Sequence, residues 1–390
     1  MPTRRLYHAD SALRRFDAEV VAHTMHAGKP AIVLDETAFY PEAGGQLGDR
    51  GTLGGIEVID TQETEGGVIV HVLAAAAPEV GTRLTGELDW ARRRQHMAQH
   101  TGQHLLSGAL LDRAAAPTAS ARLGETTLTI DVQRDRIPEA ELAAAEELSN
   151  DLIDDDLAVR AWFPDAAELA AIKLRRDPKV DADIRVVAIG DFDFSPCGGT
   201  HCARTSQLGA IRITGAERYK GMTRVTFTAA RRGRTGLFAH DHVLRGLGTQ
   251  FSCAPAEVPA AIEKLRRDTE GARTELTALR GQLANAIITT LAGTGTVIAA
   301  IPGDPELLRS VGAKLVSAGR DALLCAPDET GAFVVLFRAA GSTLDCGALW
   351  KQLAAQRGGR GGGRADRAEG RLAAPVTDWA ALIASLSSQN

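Results

Sequence analysis

Two short segments, roughly a hundred residues apart, must meet in space if this chain is to use the side chains they carry. His100-Thr101-Gly102-Gln103-His104 and Cys197-Gly198-Gly199-Thr200-His201 each set two candidate metal donors four residues apart. On a helix that spacing stacks both imidazoles on one face. Two histidines from one element, with a cysteine and a histidine from another, form a nitrogen and sulfur set suited to tetrahedral zinc. A fold that serves them must return the second pair onto the first. His96 continues the four-residue series and Cys202 follows His201, so each is a rival ligand. The structural alternative for Cys197 is a small buried hydrophobe.

The 390 residues predict two to four domains. A hydrophobic fraction of 44% and a charged fraction of 24% are those of a soluble globular protein. Apolar runs are short and broken by glycine or charge, which predicts no membrane span. Met1 to His8 is followed by no long apolar stretch, which argues against a signal peptide and for the cytoplasm. Five scattered cysteines do not suggest a disulfide framework. A net charge of −5 does not point to a nucleic-acid binder, so any such binding must rest on local basic clusters. There are three, at Arg92-Arg93-Arg94, Lys173-Leu174-Arg175-Arg176 and Arg231-Arg232-Gly233-Arg234, and each also reads as solvated surface charge.

The expected fold class is α+β and multidomain. Residues 1–88 alternate short apolar runs with Gly-rich turns, which predicts a small β-barrel. Residues 89–250 read as a central α+β zinc-binding domain. It has a helix over 92–111, a strand over 123–132 and a helix over 138–152 with Pro138 near its start. A buried strand follows over 184–189, then a hairpin over 211–228 turning at Lys220-Gly221. Residues 251–292 are helical. Val258, Ile262, Leu265, Thr269, Ala272, Leu276, Leu279 and Leu283 alternate steps of four and three, the seam of a coiled coil or of a helical hairpin. Residues 293–390 alternate apolar strands with helical stretches and predict a small α/β domain. Within it, Arg357 to Ala368 has the composition of a disordered linker, against which the structured look of Leu372 to Val376 weighs.

A third motif is Thr37-Ala38-Phe39-Tyr40-Pro41-Glu42-Ala43-Gly44-Gly45-Gln46-Leu47-Gly48-Asp49. By itself it is a rigid turn, or a loop whose bare backbone approaches a substrate. The three motifs together, in this order, resemble the editing region of alanyl-tRNA synthetases. They look still more like the free-standing alanyl-tRNA editing proteins called AlaX. The helical stretch and the segment from Gly359 to Gly370 resemble the DHHA1-type C-terminal domain of the long AlaX form. Nothing looks like the aminoacylation domain. The resemblance implies that His100, His104, Cys197 and His201 hold Zn2+, and that the middle domain is an editing domain. It implies a substrate, tRNA(Ala) mischarged with serine or glycine, whose aminoacyl ester is hydrolysed. Ser120, on the strand after the first histidine pair, is the nearest match to the family's polar residues beside the amino acid.

Water attack needs an open coordination position, so the expectation is three firm ligands, His100, His104 and His201, with Cys197 exchangeable. Glu42 and Asp49 are available carboxylates, though loop carboxylates more often serve turns. Sparing correctly charged alanine calls for a buried polar group that pairs with the serine hydroxyl. Thr37, Gln46 and Ser120 are the candidates. Arg92, Arg93 and Arg94 precede the histidines and would contact tRNA near the site mouth. Arg360 and Arg364, with Lys351 and Arg357, would be a second grip in a C-terminal region that could equally dimerise. Two other classes fit parts of this pattern: a zinc hydrolase of small esters or amides, and a tRNA-binding protein with a structural zinc and no hydrolase activity.

Overall fold

The computed structural model describes residues 3–387 apart from Glu65, Lys179, Asp181 and Ala292. The chain divides into two units, Met1–Gly246 and Leu247–Asn390.

The first unit begins with a closed barrel. Its six strands are Arg15–His26, Lys29–Leu34, Gly51–Leu53, Ile56–Glu63, Ile69–Leu73 and Arg83–Leu88. Around the barrel they follow the order first, second, fifth, fourth, third, sixth. The first strand alternates exposed and buried residues, and it turns Phe16, Ala18 and Val20 inward. That period of two is what one wet face and one core face require. The motif from Phe39 to Asp49 lies outside the ladder. Asp49 closes it, because its backbone N–H donates to the Tyr40 carbonyl and its carboxylate accepts the Tyr40 N–H at 2.7 Å.

Next comes a helix, Trp90–Ala114, capped by the Asp89 carboxylate on the Arg92 N–H and ended by Ala115 in the left-handed region. A four-stranded antiparallel sheet packs against it, in the order Ile211–Tyr219, Met222–Ala229, Leu128–Val132, Thr118–Leu123. The hairpin turns at Lys220-Gly221 with both residues at positive φ, as a two-residue turn between twisted strands demands. The expected single strand over 123–132 is instead two strands joined by a turn. The Gly124 N–H donates to the Thr127 carbonyl there and sends the chain back along itself. The helix Glu139–Asp154 packs on the same core, with Pro138 at its N-cap. A separate three-stranded sheet joins Val159–Trp162, Val186–Ile189 and Asp193–Pro196, and its last strand leads into the Cys197 loop.

In the second unit the apolar seam is carried by one unbroken helix, Val258–Thr290, rather than a helical hairpin. Only Val258 and Ala284 of its residues are buried, while Ile262, Leu265, Leu276, Leu279 and Leu283 are exposed. A five-stranded mixed sheet follows, in the order Val297–Ala300, Ala322–Asp328, Gly331–Phe337, Arg367–Leu372, Gly359–Gly363. The run Ala322 to Ala326 is buried throughout because it is covered on both faces. Ala322, Leu324 and Ala326 meet the helix Pro305–Ser317 and the end of the long helix. Leu323 and Cys325 meet Cys346–Arg357 and Trp379–Ser387. The Gly-rich segment is an ordered hairpin rather than a linker. A Cβ at Gly370 would lie 2.3 Å from Cζ2 of Trp350, so the indole fits only over bare backbone. No helix among the described residues is long and apolar enough to cross a membrane.

Candidate metal centre

The helix Trp90–Ala114 departs from the usual amphipathic plan. From His96 to Leu110 every residue is buried, polar ones included. Buried polar groups must be paired, and here the pairing builds a site. His100 and His104 point to where the Cys197 loop arrives. The Cys197 N–H donates to the Arg185 carbonyl at 2.9 Å, and Arg185 Nη1 donates to the carbonyls of Cys197 and Gly199 at 3.0 and 2.8 Å. The loop then lies directly on His100. A Cβ at Gly199 would sit 2.3 Å from His100 Cε1.

The ligand atoms of His100, His104, Cys197 and His201 all lie within 4.8 Å of one another, and no other such donor group occurs among the described residues. Cys197 Sγ is 3.5 Å from His100 Nε2 and 3.4 Å from His201 Nε2. A tetrahedral zinc with its usual bond lengths would hold such donors about 3.3–3.8 Å apart. The donor set could therefore hold a metal ion, and its two sulfur–nitrogen spacings suit zinc.

Hydrogen bonding fixes which nitrogen His100 and His201 present. Gln46 donates its amide to Thr200 Oγ1 at 2.9 Å, which turns Oε1 to His100 Nδ1 at 2.7 Å. Thr101 donates its hydroxyl to the Met97 carbonyl at 2.9 Å, so it can only accept from His201 Nδ1 at 3.1 Å. Asp193 Oδ2 lies 3.4 Å from His104 Nδ1, an ion-pair distance rather than an aligned hydrogen bond. For His100 and His201 these acceptors place the proton on Nδ1, and the Asp193 carboxylate favours the same arrangement at His104, which leaves Nε2 lone pairs for the shared centre. Such outer partners hold metal-binding histidines in place. Asp193 is itself held by Arg175 Nε at 2.5 Å and the Ser195 hydroxyl at 3.0 Å.

Electrostatics separate the two cysteines. Burial pushes the Cys197 thiol up, but His100, His104 and His201 outweigh it and hold the group well below its ordinary value. The Gly199 N–H also points at its sulfur, 3.4 Å away. Cys202, buried without such neighbours, is pushed up to about 12 and stays a thiol. Cys202 and His96 both lie outside the cluster.

The other expected residues are placed variously. Thr37 is buried in the barrel, where its hydroxyl donates to His71 Nε2 at 2.8 Å and accepts the Phe39 N–H. Gln46 touches the cluster through His100. Ser120 pairs with Arg224-bound Asp131. Its neighbours Ala121 and Leu123 face the core, so Ser120 points away from the histidine helix. Glu42 is exposed and Asp49 is an anchor for Tyr40 and Arg93, so neither reaches the cluster. Arg93 is a correction. It is fully buried, donating from Nε to Asp49 at 2.9 Å and from Nη1 to the Ser11 carbonyl, so it offers nothing to RNA. Arg92 is engaged by the Gly48 carbonyl and Glu125, whereas Arg94 is exposed. Arg360 and Arg364 are exposed on the Gly-rich hairpin. Sequence reasoning missed Thr101, Asp193, Thr200 and Arg185. Thr101 and Thr200 stand inside the two motifs, which was the available signal.

The sequence is similar to known proteins. The family described as threonyl and alanyl tRNA synthetase second additional domain matches residues 184–226, and the one described as tRNA synthetases class II (A) matches residues 8–92. The alanine–tRNA ligase of Thermococcus kodakarensis is 33% identical over 96% of this chain, and that of Archaeoglobus fulgidus 30% over 95%. The chain spans 42% of the length of each ligase. The alanyl-tRNA editing protein AlaX-L of Pyrococcus horikoshii is 30% identical over 95% of this chain and 95% of its own length. The chain belongs to the AlaX-L family of alanyl-tRNA editing proteins.

Proposed function

We propose that this chain is a zinc-dependent aminoacyl-tRNA hydrolase that clears serine, and glycine, from mischarged tRNA(Ala). The observation that carries this reading is a cluster of three buried imidazoles and a cysteine sulfur, in a chain alike over 95% of its length to an alanyl-tRNA editing protein. His100, His104, His201 and Cys197 would hold the ion. Bound zinc supplies Lewis acidity, which polarises an ester carbonyl and makes water more acidic.

The chain's own residues do the rest. Gln46, Asp193 and Thr101 keep the Nδ1 protons in place and so hold the imidazoles ready. Arg185 clamps the loop that carries Cys197, the only half-exposed member of the four. That exposure supports Cys197 as the donor that yields to substrate. Alanine is spared by a polar group that pairs with the serine hydroxyl; of Thr37, Gln46 and Ser120, only Gln46 touches the cluster, through His100, and it is the favoured candidate. Loss of serine preference with zinc content intact, on substituting one of them, would identify it. The exposed seam of the long helix supports a homodimer through the C-terminal region.

The deciding experiment is deacylation of Ser-tRNA(Ala), Gly-tRNA(Ala) and Ala-tRNA(Ala) by the purified protein, before and after chelation. Metal-dependent release of serine with alanine spared is the expected result. A second reading has one observation in its favour: four protein donors fill a tetrahedral shell, as structural zinc sites do. It predicts that chelation unfolds the first unit and that folded, zinc-loaded protein cleaves none of the three esters.

A further inference from the structure

Two clefts of the first unit share a wall. One, of about 440 Å3, reaches the Cys197 loop at His201 and Arg185. The other, of about 270 Å3, lies between the start of the histidine helix and Arg231 and Arg234. Trp90 and Arg94 line both. The Arg14 guanidinium sits 4.1 Å above the Trp90 ring, already in a stacked position. Asp10 is the one acidic side chain among the described residues of either lining.

The charge here is unspent. Arg14, Arg94, Arg231 and Arg234 are exposed and take part in no ion pair among the described residues. Arg185 is 5% exposed, and its Nε is buried with no hydrogen-bond partner. In a chain of net charge −5, an aromatic ring amid unpaired arginines is a local inversion. Aromatic platforms flanked by cations are how proteins hold single-stranded nucleic acid without reading its sequence. An ester presented to the buried cluster sits on the terminal ribose, so the strand behind it must leave along an open path. The cleft that reaches His201, the one donor among its lining residues, runs up to the edge of the cluster.

We infer that the Trp90 cleft is the track for the unpaired 3′ end of an RNA, an inference that rests on the aminoacyl-tRNA reading above. A base stacks on Trp90 in place of Arg14. Arg94, Arg231 and Arg234 neutralise the phosphates behind it, and Arg185 Nε meets the terminal nucleotide beside His201. The strand runs with its 3′ end toward the metal ligands.

The test uses the full zinc-loaded chain and a single-stranded RNA hexamer, labelled with fluorescein at its 5′ end and free at its 3′ end. Anisotropy reads its affinity. Trp90→Ala is expected to weaken binding by roughly five- to a hundredfold, and Trp90→Phe to restore most of it. Because Trp90 also packs on the core, Arg94→Ser with Arg234→Ser is the second variant. It should weaken binding and lower the salt dependence by about 0.7 per lost phosphate contact. Zinc content and melting temperature check that each variant folds. A bulky 3′ cap on the hexamer should also weaken binding. No binding by the wild type, equal binding by all variants, or equal binding of capped RNA would each overturn the track. If the wild type cleaves no mischarged tRNA but binds the hexamer through Trp90, the proposed hydrolase falls and the track stands. If it cleaves Ser-tRNA(Ala) while the variants keep its RNA affinity and KM, the track alone falls.

Discussion

Two helices of this protein break the usual rule of burial in opposite senses. Trp90–Ala114 buries its polar residues, with His100, Thr101, Gln103, His104 and Ser107 all inside. Val258–Thr290 leaves Leu265, Leu276, Leu279 and Leu283 about half exposed. Neither is a balanced amphipathic helix packed on a core. A buried polar helix must find partners for its polar groups, and for His100, Thr101 and His104 these are the donor set and its supports. An exposed apolar helix carries the cost of its face for as long as that surface is uncovered. Opposite departures from one rule thus single out two places to test, one inside at the donor cluster and one outside along the long helix.

The comparison breaks first at the metal. His104→Ala should abolish bound zinc and bring Ser-tRNA(Ala) deacylation to the chelated background, a loss well above the 10- to 100-fold typical of outer-partner mutations. Metal analysis beside a deacylation assay checks this, and a variant that keeps both would remove His104 from the site. Next in size is Arg93. Its guanidinium sits fully buried against Asp49, and Arg93→Ala leaves that carboxylate uncompensated. The expected cost is about 3–5 kcal/mol in urea unfolding. A change below about 1 kcal/mol would mean that the pair is solvated after all.

The parts that were legible in the sequence are those whose chemistry is local. Four-residue spacing and donor type pick out the two segments but leave His96 and Cys202 as rivals; the resemblance to the editing family is what singles out His100, His104, Cys197 and His201. Arg93 was not legible, because a run of three arginines reads as surface. The helical period turns one of the three inward, onto an aspartate from a distant loop. Asp193 was hidden likewise. Asp191-Phe192-Asp193 looks like a polar turn, and its burial depends on Arg175 arriving from an earlier segment. The Gly-rich run from Gly359 reads as disorder until Trp350 lies on it. A heptad-like seam states that a face will be covered and not by what, so one long helix and a hairpin share the same pattern.

Two further tests sharpen the cost of polar burial. His71 is enclosed in the barrel, where burial lowers it from 6.5 to about 4, only partly offset by the Ile32 carbonyl. As pH falls through 6.5 the unfolded chain takes up this proton and the folded chain does not. Stability from His71 is therefore complete above about pH 6.5 and is lost as pH falls toward 4, on the order of 3 kcal/mol in all. Urea unfolding at pH 7 and pH 5 should show a steeper loss for wild type than for His71→Gln, and equal slopes would contradict it. Asp193→Asn keeps an acceptor for His104 but removes the charge that Arg175 compensates. It should weaken zinc by about 10- to 100-fold in chelator competition, with Asp193→Glu falling between. Unchanged affinity would demote Asp193 to a packing role.

The smallest effect on stability tests the other helix. Leu276→Glu and Leu279→Lys place charges on positions that are 46% and 52% exposed. If that face is free in the monomer, each should move the melting temperature of dilute protein by no more than the equivalent of about 0.5 kcal/mol. If the face is a dimer seam, the same changes should shift the sedimenting species from two chains to one at micromolar concentration, because a charge would be buried against the partner's apolar residues. The two readouts move independently. A large loss of stability in dilute protein would show that the seam is already packed within one chain. An unchanged mass, with wild type monomeric at the same concentration, would leave the apolar face to a different partner and remove the homodimer from the account of this helix.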